Sequence, residues 1–271
     1  MIKLESTQVV GWEAAIRGMR NPMNSWEKSD SLFFDGDEYH DICENSGPCT
    51  EHEEGFDLGW ADHELMMKLV KGGPVHAKFR RMIAVYVDIT APLYWWKEFD
   101  TYKVGTVANS CSTMHKIAAK EFTLEDFSHE HLIGMEALLP TESNPYPSLL
   151  VDFSDEKCPN ASYRIASKGI LIEMINMLNE CRKWYIELSE KLKNVEKPED
   201  IQCLTQQKKH VWWQMIQLLP TSYNQRRTVM LNYEVLAGIY PMRKDHKLDE
   251  WHEFCHWIES LPHSEVIVPK E

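Results

Sequence analysis

Residues 72–116 read GGPVHAKFRRMIAVYVDITAPLYWWKEFDTYKVGTVANSCSTMHK and contain about one supersecondary unit. The β-branched and aromatic run at 82–90 follows a Gly-Gly-Pro turn and predicts a strand, because such side chains favour extended backbone. An Ala-Pro step ends this strand, and the aromatic residues over 93–103 predict an amphipathic helix. Small polar residues follow at 104–113, and we expect them to form a loop that holds a ligand.

Helical periodicity dominates the rest of the chain. A short strand that runs into a helix is predicted over 6–20. Apolar residues that recur every three or four positions predict helices at 58–71, 162–193, 199–219, 222–240 and 247–261. Together these patterns predict an α+β protein.

The domain organisation predicted for residues 1–271 is a single domain, because we find no internal repeat and no convincing linker. Two segments depart from the helical pattern. Residues 35–57 contain nine Asp or Glu and no Lys or Arg, which predicts an inserted acidic segment. A Pro- and Ser-rich stretch within 140–160 predicts an irregular excursion.

Composition and charge exclude several functional classes. The formal net charge of −13 would repel a polyphosphate chain, so we expect no nucleic-acid partner. No apolar run is long enough to span a membrane, and the first residues lack the apolar core of a signal peptide. Seven scattered cysteines favour a reducing compartment. We therefore expect a cytoplasmic protein.

Two groups of residues could bind zinc, whose preferred protein donors include thiolate and imidazole. The sequence HEFCH at 252–256 matches a zinc-peptidase motif, but it arises readily by chance in a chain with 12 histidines. A solvated acidic loop explains the other group equally well, and that group consists of His40, Cys43, Cys49 and His52. We expect no bound metal.

A possible nucleophile lies at the end of the central stretch. Cys111 and His115 are four residues apart, so they share a face if the segment is helical. A thiolate beside an imidazole is a common nucleophile–base pair. The alternative is an unrelated cysteine and histidine in a polar loop, since we find no third residue to orient them.

The central stretch resembles the flavin-dependent thymidylate synthases. In that family a turn that contains Pro and His leads into a strand. An Ala-Pro-like turn, an aromatic helix and an arginine-rich motif that also contains Ser and Asn come next. This chain has the same order in Pro74, His76, Ala91-Pro92 and the aromatic segment 94–99. The remnant of the motif consists of Tyr102, Lys103, Thr106, Asn109, Ser110, Cys111, Ser112 and Met114.

A second block more than a hundred residues later agrees with the same family. Its late segment has Leu-Pro, then Asn, then Leu-Arg and a Trp-containing helix. Here the corresponding residues are Leu219-Pro220, Asn232, Met242-Arg243 and Trp251. The two blocks cover about a third of the chain.

The resemblance implies a small twisted antiparallel sheet packed against long helices, the fold of thymidylate synthase-complementing proteins. It implies methylation of a pyrimidine nucleotide (dUMP or a relative) with FAD as cofactor, and with NADPH and methylenetetrahydrofolate as co-substrates. It also implies a homotetramer. The implied catalytic residues are Arg243 and Ser112. The implied cofactor-binding residues are His76, Tyr102, Lys103, Thr106, Asn109 and Asn232.

Several motif arginines are replaced in this chain. Tyr102 and Lys103 stand nearest to two of them, and Met114 stands at a third. A lysine can replace an arginine as a point charge but not as a bidentate donor. Arg80, Arg81 or Arg227 would then supply charge. The alternative hypothesis is a diverged protein of the same fold that binds a nucleotide or a partner without catalysis.

Overall fold

The computed structural model describes residues 2–34, 55–132 and 167–268. The strands are β1 Lys3–Val10, β2 Leu32–Phe34, β3 Gly55–Asp57, β4 Ala84–Pro92, β5 Val107–Ser110 and β6 Asn224–Asn232. The α-helices are α1 Trp12–Arg20, α2 Trp60–Lys71, α3 Leu93–Phe99, α4 Thr113–Lys116, α5 Ser167–Lys193, α6 Pro198–Leu218, α7 Tyr233–Arg243 and α8 Asp249–Glu259. The candidate zinc ligands between His40 and His52, and the stretch 140–160, lie outside the described residues.

Four strands form an antiparallel sheet in the order β1-β4-β6-β5, and β2 pairs with β3 in a separate antiparallel ribbon. The strand predicted at 82–90 is β4. Its residues Val85, Val87 and Ile89 are buried and alternate with less buried ones, as the period of two in a strand requires. The predicted α+β fold with a small antiparallel sheet and long helices is confirmed.

The chain divides into two compact units. The described residues of unit 1 are 90–97, 110–132 and 167–226, and those of unit 2 are 2–34, 55–89, 98–109 and 227–268. The helices α5 and α6 pack along each other in unit 1. Their apolar faces enclose a core of Ile117, Phe122, Phe127, Leu171, Ile175, Leu178, Cys181 and Met215.

Aromatic side chains build the part of unit 2 that holds the candidate site. The Phe99 ring, at the end of α3, lies 6.5 Å from the Trp251 ring and 6.0 Å from the Phe254 ring, measured between centroids. All three side chains are buried. Rings at these separations stabilise each other beyond the area that they bury. The contacts therefore fix residues 98–102 against α8.

A buried ion pair lies elsewhere in unit 2. The Arg20 guanidinium donates through Nε to Asp62 Oδ1 at 2.6 Å, and both side chains are almost inaccessible to water. The other carboxylate oxygen, Oδ2, accepts from the hydroxyl groups of Ser29 and Ser31 at 2.7 Å each. The backbone N–H groups of Asp30 and Ser31 also donate to it. The pair thus ties α1, α2 and the segment before β2 together.

One predicted helix is wrong. Residues 222–240 do not form a single helix, because the strand β6 occupies Asn224–Asn232 and α7 begins only at Tyr233. Val229 and Leu231 are buried within β6, which follows a strand period. The side chain of Asn232 then caps α7 by accepting from the Val235 N–H at 3.0 Å. The change from strand to helix at Asn232 places the start of α7 beside the sheet.

The central stretch also differs from its prediction in two places. The helix expected over 93–103 ends at Phe99, where the Thr101 N–H and hydroxyl both bond to the Glu98 carbonyl. The expected loop at 104–113 contains β5 at Val107–Ser110, an edge strand of the sheet. Every residue of β5 is exposed. The strand therefore lacks the alternation of apolar and polar residues from which a strand is predicted.

None of the helices in the described ranges is both long enough and apolar enough to cross a lipid bilayer.

Candidate functional site

Arg243 lies at the centre of the candidate site in unit 2. It is the last residue of α7, where the helix dipole favours a positive charge. Its Nε donates to the Tyr102 hydroxyl at 2.7 Å, and its guanidinium lies 4.4 Å from the centre of the Trp251 ring. Stacking on an indole is favourable for a guanidinium. The predicted residues Arg243 and Tyr102 are therefore in direct contact, and Arg243 is held in one orientation.

A carboxylate neutralises this arginine. Arg243 Nη1 donates to Glu98 Oε2 at 2.6 Å. The same oxygen accepts from the Trp251 indole N–H at 2.8 Å and lies 3.4 Å from His246 Nε2. The Arg243 side chain is 16% exposed and the Glu98 side chain 35% exposed. The site thus presents a matched pair of charges, with the carboxylate on the more accessible side.

The loop after Tyr102 is fixed against the start of α7. The Thr106 hydroxyl donates to the Tyr102 carbonyl. Gly105 has a φ of 78°, and a Cβ placed on it would lie 3.0 Å from Val235 and 3.2 Å from the Asn232 amide nitrogen. A glycine is favoured here, because the positive φ strains other residues and a Cβ would crowd the Val235 and Asn232 side chains. Tyr102, Thr106, Asn232 and Arg243 are therefore brought into one region.

The other predicted residues of unit 2 are more exposed. His76 lies in the turn after α2, where its N–H donates to the Gly73 carbonyl at 2.9 Å. Lys103 follows Tyr102 in the loop, and Asn109 lies in the edge strand β5. The side chains of all three are exposed. Their polar groups are therefore accessible to solvent.

Ser112 belongs to unit 1, and its side chain has a structural role there. Its hydroxyl accepts from the His115 N–H at 3.2 Å and so caps the short helix α4. Cys111 precedes this cap and is not helical. The hypothesis that Cys111 and His115 share a helical face is therefore wrong, because the helix begins two residues after the cysteine.

The HEFCH segment lies on α8 in unit 2. His252 Nδ1 is 3.7 Å from Asp249 Oδ1, and His256 Nδ1 is 3.3 Å from Glu259 Oε2. Burial, together with the nearby Glu259 and Asp245 carboxylates, raises the pKa of the Cys255 thiol to about 11. Across residues 2–34, 55–132 and 167–268, no three His, Cys, Asp or Glu side chains are placed to hold a metal ion.

An open cavity of about 610 Å³ adjoins the same helix. Polar and titratable side chains dominate its wall, which consists of Tyr240, Lys244, Asp245, His246, His252, Cys255, His256 and Glu259. The Tyr240 hydroxyl donates to Glu259 Oε1 at 2.5 Å, and this bond, together with burial and nearby negative charge, raises the pKa of the tyrosine to about 12. Acidic and basic groups are mixed around the cavity, so it offers no concentrated charge to one class of ligand.

The carboxylates of the site were not predicted from the sequence. Glu98 lies within the aromatic segment and pairs with Arg243, 145 residues away. Asp100 makes a second such pair, since Arg227 Nη1 donates to Asp100 Oδ1 at 2.7 Å. Arg243, an implied catalytic residue, and Arg227, an expected source of positive charge, are thus both compensated from one short segment. No local pattern signals such long-range pairs.

Comparisons with known proteins agree with the fold. No protein-family model matches this sequence, and neither does any curated protein. Two structures of the flavin-dependent thymidylate synthase ThyX from Helicobacter pylori, both with FAD and dUMP, are similar, each with 14% sequence identity and a TM-score of 0.51. The first alignment covers 98% of this chain and 96% of that chain, and the second 97% and 96%. The chain has the fold of ThyX.

A third similar structure is the UMP/dUMP methylase PolB from Streptomyces cacaoi bound with 5-Br dUMP, at 12% identity and a TM-score of 0.46. It covers 99% of this chain and 95% of that chain. The ThyX fold persists here at 14% identity because apolar periodicity and turn chemistry, more than residue identity, determine how strands and helices pack. The fold implied by the two sequence blocks is thereby confirmed.

Proposed function

We propose that this protein binds a pyrimidine nucleotide, dUMP or a close relative, and methylates it with FAD as cofactor. The main support is that Tyr102, Thr106, Asn232 and Arg243 converge in unit 2 of a chain with the ThyX fold. The similar ThyX structures contain both FAD and dUMP.

Arg243 is the proposed phosphate-binding residue for the nucleotide. Its guanidinium is oriented by Tyr102 and Trp251, and a guanidinium binds phosphate oxygens through short charge-assisted hydrogen bonds. Ser112 is the second residue proposed to act on the nucleotide. Its hydroxyl accepts a bond from the His115 N–H and still has a proton to donate.

The exposed donors of unit 2 suit a phosphate-bearing cofactor. Lys103 carries a full positive charge, and no other described residue bonds to its ammonium group. His76 and Asn109 add polar groups on the surface, whereas Tyr102, Thr106 and Asn232 are already bonded within the protein. Lys103 would hold a phosphate of FAD, and His76 and Asn109 would bond to its polar groups. FAD supplies hydride transfer when bound.

The remaining reactants are proposed from the same resemblance. Methylenetetrahydrofolate would supply the carbon and NADPH the electrons, and the protein would act as a homotetramer. Light scattering of the purified protein measures its mass in solution directly. A monomer across the micromolar range would contradict the tetramer.

FAD binding is the first test of this proposal. Purified protein mixed with FAD and passed through a desalting column should retain the absorbance bands of flavin. Lys103→Ala should lose most of this retention, because no other uncompensated ammonium lies in the loop. Lys247→Ala changes another exposed lysine of unit 2 and serves as the control. A colourless protein that forms no methylated dUMP when supplied with all co-substrates would contradict the proposal.

A second candidate function is nucleotide binding without methylation. It is favoured by the compensation of Arg243 by Glu98 and of Arg227 by Asp100, which weakens the positive potential available to several phosphates. Calorimetry separates the two functions. Heat of dUMP binding with no FAD uptake and no methylated product supports the second.

A further inference from the structure

The contact between Glu98 and Arg243 uses the same chemistry as a contact between arginine and phosphate. A carboxylate oxygen 2.6 Å from a guanidinium nitrogen makes a short charge-assisted hydrogen bond. A phosphate that approached Arg243 from the Nη1 side would need the position that Glu98 Oε2 occupies. The ligand anion and Glu98 are therefore alternatives at this nitrogen.

The two partners are held to different degrees. Arg243 is anchored by the Tyr102 hydroxyl and by the Trp251 ring, and its side chain is mostly buried. Glu98 is about twice as exposed, and it lies at the end of α3, where the helix gives way to a turn. Glu98 can therefore rotate into solvent while Arg243 keeps its orientation.

We propose that Glu98 is a specificity-determining residue that competes with the anionic group of the ligand for Arg243. The inference rests on the proposed function, in which a nucleotide reaches this arginine. An uncharged nucleoside does not compete with Glu98, whereas a nucleotide must displace it. Glu98 thus reduces the advantage that a phosphate would otherwise give a ligand here.

The variant Glu98→Gln tests this competition, because it removes the negative charge and keeps the shape. A glutamine oxygen still accepts from the Trp251 indole N–H. The affinity for dUMP should rise by up to about fivefold, since the pair between Glu98 and Arg243 no longer has to be broken. The affinity for deoxyuridine should not change. Glu98→Asp keeps the negative charge, so its affinity for dUMP should stay as low as that of the native protein.

Asp100→Asn is the matched control. It removes one negative charge two residues away, from the pair with Arg227. An equal gain in Asp100→Asn would show a general electrostatic effect and would overturn the specific role of Glu98. In Glu98→Gln the further change Arg243→Met should abolish the gain.

Titration with inorganic pyrophosphate separates this inference from the proposed function. If pyrophosphate binds Glu98→Gln more tightly than the native protein, the competition holds even where neither FAD uptake nor methylation is found. If thermal unfolding shows that Glu98→Gln is folded and neither dUMP nor pyrophosphate binds more tightly, the inference is wrong. A structural role alone predicts unchanged or weaker binding, so the direction of the change decides.

Discussion

Two arginine–carboxylate pairs in unit 2 have the same length and different surroundings. Arg20 to Asp62 and Arg243 to Glu98 both measure 2.6 Å between nitrogen and oxygen. The first pair is 4% and 0% exposed, and the second 16% and 35%. Asp62 accepts further bonds from two serine hydroxyls and two backbone N–H groups, whereas Glu98 has an indole and a histidine beside it.

The difference shows that bond length does not reveal what an ion pair does. A buried carboxylate with every oxygen bonded has no route to another partner, because each bond would be lost without replacement by water. A carboxylate at the surface can exchange its partner for solvent or a ligand at small cost. We therefore expect the buried pair to act only within the fold, and the partly exposed pair to be accessible to a ligand.

Removing the charge of the buried pair should have the largest effect on stability. Asp62→Asn leaves Arg20 without a counter-ion and turns an amide NH2 toward donor groups. We expect unfolding to become easier by about 3–5 kcal/mol, measured by urea denaturation. Glu64→Gln changes an exposed carboxylate of the same helix and should alter stability by less than about 0.5 kcal/mol. Equal effects in both variants would contradict the comparison.

The buried pair should also make stability depend on acid pH. Burial raises the pKa of the Asp62 carboxyl, but hydrogen bonds from Ser31, Ser29 and Arg20 outweigh it, and the pKa is lowered. The stabilisation is therefore complete above the unfolded-state pKa and is lost as the pH falls toward the folded-state pKa. The difference in unfolding free energy between native protein and Asp62→Asn should shrink below about pH 4. A difference that stays constant from pH 7 to pH 3 would exclude this account.

The partly exposed pair between Arg243 and Glu98 should contribute little to stability. Glu98→Gln is expected to lower the free energy of unfolding by about 1 kcal/mol or less, because water screens a pair at this exposure. Thermal unfolding in the absence of ligand measures it. Glu13→Gln, which breaks the largely exposed pair with Arg17, should leave the unfolding temperature unchanged. A loss in Glu98→Gln as large as that in Asp62→Asn would show that both pairs are structural.

Sequence alone predicted the parts of the fold that depend on local pattern. The strand β4 follows from its β-branched and aromatic residues, and the long helices α5 and α6 follow from the spacing of apolar residues. The strand β6 was missed, because its mixture of polar and apolar residues also suits a helix and its pairing in the sheet decides the outcome. The pairing of one strand with a distant strand cannot be inferred from the residues next to it in sequence.

The candidate site was predictable to the same extent. Tyr102, Thr106, Asn232 and Arg243 were identified through two ordered blocks of sequence, and the structure brings them together. Glu98 was missed because nothing near it in sequence shows that its partner lies 145 residues away. Ion pairs between residues far apart in sequence become visible only in the folded structure.

The bond from Arg80 to Val266 has a consequence for the order of folding during synthesis. Arg80 Nε donates to the Val266 carbonyl at 2.6 Å, and 186 residues separate the two. At a translation rate of about 5–20 residues per second, Arg80 leaves the ribosome roughly 10–40 s before its acceptor exists. The Trp257 indole N–H donates to the Thr7 hydroxyl at 3.0 Å, and Thr7 is likewise synthesised long before its partner. Unit 2 can therefore complete these contacts only after residues 257–266 have been synthesised.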